Sequence, residues 1–200
     1  MATNAPAGTN DYVYPGLIEA REDAAIEKAD MEAMGEITNP IVRDIIPAVD
    51  FDTGASTEWS GSADGWEVSP DTDGAGTYEV YEIDSDTGKA DERVNVIYGF
   101  EAVQGLDYVE AVNFIASDGQ TFERAQVTGL DETGDTQVDR QKTLRSPISF
   151  GAQENGAIEI VVNDDYVSPS TTSGDTPTPI ELKLLGVTAE KLGRRVGSRQ

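Results

Sequence analysis

Residues 107–127 read DYVEAVNFIASDGQTFERAQV. Asp107–Ala116 and Thr121–Val127 both have strand character, and Ser117-Asp118-Gly119-Gln120 joins them. Asp-Gly between two such runs is the strongest short-range hairpin signal, because glycine supplies the positive φ that a tight turn needs. This hairpin sets the phase for reading the rest of the chain as β.

Further strands are predicted on both sides. Upstream lie Ile41–Val42 and Ile45–Ile46, running on past Pro47 to Val49 and Phe51, then Ser56–Ser60, Trp66–Val68, Thr77–Ile83 and Arg93–Phe100. In that last segment Val94, Val96, Tyr98 and Phe100 share one face by simple alternation. Downstream lie Pro147–Phe150, a turn at Asn155-Gly156, Ala157–Asn163 and Ile180–Glu190. The phase of the last run slips at Leu184-Leu185, which predicts a bulge or burial on both faces. Short strands divided by turns, with no helix between them, exclude a parallel α/β fold, which needs helical crossovers. The layout is that of an all-β protein, a single jelly-roll or β-sandwich of about eight strands. Two long loops, Thr128–Lys142 and Asp164–Pro179, interrupt it.

Ahead of the strands, residues 1–14 are small and polar and read as an arm. The stretch GLIEAREDAAIEKADMEAMGE (16–36) is the one good helix, and it is short. Leu17, Ala20, Ala24, Met31 and Met34 follow a 3–4 spacing, broken by Glu27, and define the expected contact face. An alanine-rich face buries little area, so the helix must lean on the barrel or on a neighbouring subunit. Both readings stand at this point. The expected organisation is an arm and helix over 1–38, a barrel over 39–190 and a basic tail over 191–200.

Composition narrows function. The 200 residues contain neither Cys nor His. Disulfides, thiolate catalysis and imidazole general bases are therefore excluded. No run approaches the roughly 20 apolar residues of a membrane span. The opening MATNAPAGTNDYVYPG lacks basic and apolar leader regions, so no signal peptide is expected. The formal net charge is −24, from 38 acidic and 14 basic residues. Such self-repulsion destabilises a compact state in dilute buffer and is largely screened at molar salt. We read the acidity as adaptation to high salt. It also argues against nucleic acid as the main ligand, since that needs a Lys/Arg face. Residues 1–140 hold 31 acids and 7 bases, which accounts for the whole net charge, and residues 141–200 hold seven of each. The final KLGRRVGSRQ carries Lys191, Arg194, Arg195 and Arg199 with no acid.

Candidate chemistry is sparse. Nucleophilic triads and phosphate loops have no residues to build them, so no catalytic residue, cofactor or metal is assigned. Asp71–Gly74 and Asp84–Gly88 place oxygens at alternate positions, as calcium loops do, but they do not complete an EF-hand and read as turn chemistry. Trp59 and Trp66 flank a turn and offer an alternative as glycan-stacking residues of a carbohydrate-binding module. The candidate assembly contacts are Leu17, Met31 and Met34 on the helix and Arg194, Arg195 and Arg199 in the tail. That tail could meet a neighbour's acidic surface or anionic lipid.

The segments Leu144–Ile148, Gly156–Asp165 and Ile180–Glu190 resemble the closing strands of single jelly-roll viral capsid proteins. With the acidic composition, they resemble the major capsid proteins of internal-membrane icosahedral haloarchaeal viruses of the sphaerolipovirus kind. The resemblance spans roughly residues 90–190 and rests on pattern. It implies a structural virion protein, made in the host cytoplasm, that self-assembles and pairs with a second capsid protein. It supplies no catalytic residues to carry over, and the helix has no counterpart in it. A decoration, spike-base or tail protein is the neighbouring possibility.

Overall fold

The computed structural model describes residues 15–54, 65–83, 93–128, 130, 140–152, 154–169 and 179–191. Helix α1 spans Pro15–Glu36, 22 residues, one residue beyond the expected 16–36. Nine strands follow: β1 (Pro40–Asp44), β2 (Asp52–Thr53), β3 (Gly76–Ile83), β4 (Arg93–Gln104), β5 (Val109–Ala116), β6 (Thr121–Gln126), β7 (Gln141–Phe150), β8 (Gly156–Val162) and β9 (Glu181–Lys191). A single helical turn, α2 (Pro47–Asp50), separates β1 from β2, and a 3₁₀ turn covers Leu106–Tyr108.

The strands form two antiparallel sheets ordered β1-β9-β4-β7 and β2-β3-β8-β5-β6. Apart from the two-residue β2, successive strands alternate between the sheets except at the β5–β6 hairpin. This is the double Greek key of a jelly roll. The predicted hairpin is present: Gly119 takes φ +77° and the Asp118 carboxylate accepts from the Gln120 N–H at 2.9 Å.

Between the sheets lies the main core, built around Phe51, Tyr81, Phe100, Phe114, Phe150, Ile158 and Ile160, all nearly or fully buried. A second core lies on the opposite face of the four-stranded sheet, under α1. Strand β4 serves both. Val94, Val96 and Tyr98 face the helix, whereas Phe100 faces the sandwich interior. The simple alternation that put these four on one face therefore fails at a bulge. The pairing register of β4 slips between Ile97 and Gly99 against both neighbours. An extra residue there reverses the facing of everything beyond it. Gly99 is required at the bulge, because a Cβ would meet the Lys142 carbonyl oxygen. On β9 the alternation is unbroken through Leu184-Leu185: Leu182 and Leu184 face the main core and Leu185, Val187 and Ala189 lie under the helix, so of the two outcomes expected there burial on both faces holds and the bulge belongs to β4.

Two other expectations are corrected. The run from Ile41 to Phe51 is not one strand. Pro47 opens α2, for which its fixed φ is preorganised, and the Asp50 carboxylate accepts the Ile46 N–H at 2.8 Å. Trp66–Val68 forms only a single bridge, Glu67 to Glu181. This connection is held by hydrogen bonds to the β8–β9 loop instead. Tyr166 Oη and Ser168 Oγ donate to the Pro70 carbonyl at 2.9 and 2.8 Å, and the Val68 N–H donates to Ile180 at 2.8 Å. The expected strand at Ser56–Ser60 lies outside the described residues.

The open edge between β1 and the β2–β3 side is closed by charge rather than by apolar packing. Arg43 donates to both carboxylate oxygens of Asp50 and to Glu190. Arg93 donates to the Val49 carbonyl at 2.6 Å and to Asp50 at 3.2 Å, and its Nε lies 3.5 Å from Glu190. The side chains of Asp50, Glu190 and Arg93 are 0%, 3% and 8% exposed, and two cations balance two anions. Burial alone would lower the Arg43 pKa, but its bonds to Asp50 and Glu190 outweigh that and raise it. The network ties α2 to β1, β4 and β9. Removing one partner leaves buried charge uncompensated. Asp50→Ala is expected to destabilise the fold by about 3–5 kcal/mol, read as a lowered denaturation midpoint at fixed salt.

Candidate functional site

Among the described residues the candidate features are surfaces. The first is α1. Its buried face is Ala25, Ala29 and Ala33, all 0% exposed, with Ile37 beyond the last turn and Ile18 and Ile26 at the flanks. These lie on Val94, Val96, Tyr98, Leu185, Val187 and Ala189. The small side chains let the helix axis approach the sheet, and the apolar outer faces of β4 and β9 supply the area that the alanines lack. The face predicted from Leu17, Ala20, Ala24, Met31 and Met34 is therefore not the packed one. Met31 and Met34 are 61% and 75% exposed. Both stripes carry apolar residues at helical spacing, and only the sheet surface decides between them. Leu17 lies in the first turn, and its side chain falls outside the described part.

Of the two readings kept open for this helix, packing on its own barrel holds. A hydrogen bond from Ser149 Oγ to Glu32 at 2.9 Å pins its C-terminal half to β7, and Lys28 pairs with Glu32 at 3.6 Å. What α1 offers outward is a stripe of exposed residues: Glu19, Asp23, Glu27, Met31 and Met34.

The second surface is the outer face of the five-stranded sheet. A cross-strand row runs Glu79–Glu159–Asn113–Arg124. Asn113 Nδ2 donates to Glu159 at 3.2 Å. Glu79 and Glu159 are directly opposite, an arrangement that repels. At one end of the sandwich an open groove of about 420 Å³ lies between the 3₁₀ turn and the end of β6, with Asp107 and Glu110 on its polar side and Leu106 and Leu130 on its apolar side.

The other candidates resolve unevenly. Trp66 is half-buried against the main core and its carbonyl accepts from the Leu182 N–H at 3.0 Å, so it is a core wall rather than an open stacking platform. Trp59, Arg194, Arg195 and Arg199 lie outside the described residues. Of the two aspartate-rich turns, Asp71–Gly74 is structural: Asp73 accepts from the Ser168 N–H at 2.7 Å, and Gly74 sits at φ +82°. Asp84–Gly88 lies outside the described residues. The buried charge network had no counterpart in the sequence reading. Its signal was two arginines placed at strand positions, Arg43 and Arg93, within an otherwise acidic stretch.

Compared with known proteins, the chain matches no family model and no curated relative.

Two outcomes follow from this geometry. Glu159→Gln keeps the acceptor for Asn113 and removes the charge opposite Glu79. It is expected to stabilise the fold by roughly 0.5 kcal/mol in dilute buffer and by nothing measurable at molar salt, read from denaturation at both ionic strengths. The second concerns alkali. Burial, reinforced by Glu22 and Asp44, pushes Tyr98 under the helix up to about 12. Burial also raises Tyr81 and Tyr166. The folded chain then keeps protons that the unfolded chain loses near pH 10, so this stability is intact below about pH 10 and lost as pH rises through the folded values. Tyrosinate absorbance is expected to grow together with loss of the β-sheet circular dichroism signal. Ionisation of all seven tyrosines near pH 10 in a folded protein would contradict it.

Proposed function

We propose that the chain is a structural virion protein: a capsid subunit of a haloarchaeal virus that self-assembles and pairs with a second capsid protein to form an icosahedral shell. The observation that carries this reading is the jelly-roll order β1-β9-β4-β7 against β3-β8-β5-β6. Jelly rolls serve capsids, lectins and cupins. A cupin site is built from imidazole ligands, and this chain has no His. The lectin-like alternative rested on Trp59 and Trp66 together, and Trp66 is packed against the core. The assembly reading draws on the exposed Met31 and Met34, on the split between an acidic first 140 residues and a neutral last 60, and on the basic tail. The acidic surface is compatible with dense packing only where salt screens it. The tail offers a contact to a neighbour or to an internal membrane, and no enzymatic role is assigned.

Sedimentation across ionic strength tests the proposal. Multimers are expected at molar salt and dissociation as salt is lowered with the fold retained. A monomer at every salt and concentration would overturn it. Copy number in purified virus particles separates a major capsid subunit, present in hundreds, from a spike-base or decoration protein.

A further inference from the structure

The outward stripe of α1 and the basic segment 192–200 have matching chemistry. On α1, Glu19, Asp23 and Glu27 line the solvent side ahead of Met31 and Met34. The last turn of the helix contains no basic residue of its own to meet the partial negative charge of its C-terminal carbonyls. Segment 192–200 carries Arg194, Arg195 and Arg199, with Leu192 and Val196 among them and no acid. The segment follows Lys191, which lies at the end of the molecule where α1 finishes. Strand β9 leaves the sheet after the rung that pairs Lys191 with Pro40. Pro40 lies three residues beyond Ile37, whose N–H closes the last turn of α1 on the Ala33 carbonyl.

We propose that the α1 stripe of one copy receives segment 192–200 of a second copy, and that the contact is reciprocal. A donor segment rooted beside its acceptor suits an isologous exchange, in which each copy gives its segment and takes its partner's about a two-fold axis. The inference rests on the self-assembly reading above and names the surface through which it acts. Screening at molar salt leaves only close charge contacts, so the apolar pair Met31 and Met34 anchors the segment and the carboxylates orient it.

The cysteine-free chain makes the test direct. Met34→Cys and Val196→Cys variants are mixed at molar salt and oxidised, with Val103→Cys, exposed near the opposite end of β4, in place of Met34→Cys as the control. Met34 is 75% exposed, so its substitution leaves the fold intact. A covalent dimer joining the two variants, at a yield at least tenfold above the Val103 control, is expected. A Met34→Cys/Val196→Cys chain that closes only on itself would overturn the proposal, as would cross-linking equal to the control. If sedimentation shows multimers but no cross-link forms, the docking site is wrong and self-assembly stands. If no multimers form under any salt, the assembly reading itself falls.

Discussion

Strands β4 and β9 lie side by side at the middle of the four-stranded sheet and are apolar on both faces. Ten consecutive residues of β4, from Arg93 to Ala102, are buried, as are all those from Leu184 to Glu190 on β9. A strand pair of this kind cannot leave either face to water. One face is satisfied by the second sheet and the other must be covered separately, and α1 is that cover. The five-stranded sheet carries no such demand. Its outer face presents Glu79, Glu82, Glu159 and Arg124 and has no helix on it among the described residues. The asymmetry of the molecule, helix on one side and charged sheet on the other, follows from the apolar content of two strands.

The bulge at Gly99 makes that double service possible. Without it, Val94 to Ala102 would alternate in one phase, and Phe100 could not enter the sandwich while Val94, Val96 and Tyr98 met the helix. The adjoining edge strand adapts as well. Between the rungs Ile97–Ile148 and Gly99–Thr143, residues 144–147 of β7 have no partner on β4, and Pro147 sits where no ladder hydrogen bond is asked of it. Within that stretch the Arg145 N–H turns to the Glu123 carboxylate of β6 at 3.3 Å, so β7 leans from one sheet toward the other.

Much of this was legible in the sequence because it rests on local rules. The Asp118-Gly119 hairpin, the alternation of β8 and the two-faced burial of β9 are each written in neighbouring residues. The phase change in β4 was not, because Tyr98 and Gly99 read as ordinary strand residues until a partner strand fixes their register. The working face of α1 was not, because alanine is equally at home in a solvent-facing stripe and in a close-packed one. The turn at Pro47–Asp50 needed a partner far away in sequence: Asp50 is held by Arg43 and Arg93, and Arg93 lies 43 residues further on. Of the surface residues proposed for assembly, the sequence identified Met31 and Met34 as special, but for a contact inside the chain or outside it without distinction. Their exposure assigns them outward.

Charge placement connects the fold to its environment. The first 140 residues contain seven bases, and two of them, Arg43 and Arg93, are committed to the buried network. They neutralise Asp50 and Glu190 and little else. The surface acids of that stretch therefore have few cations of their own, and register fixes one of them, Glu79, directly opposite Glu159. Directly opposite residues have Cβ atoms about 4.5–5.5 Å apart, and the backbone ladder does not let them separate. At about 0.1 M salt the Debye length is about 10 Å and such pairs still repel, whereas at about 1 M it is about 3 Å and they do not. The same change in screening acts between subunits. Two copies each carrying −24 repel at long range in dilute buffer and can touch at molar salt, where apolar contacts and close cations decide which surfaces meet.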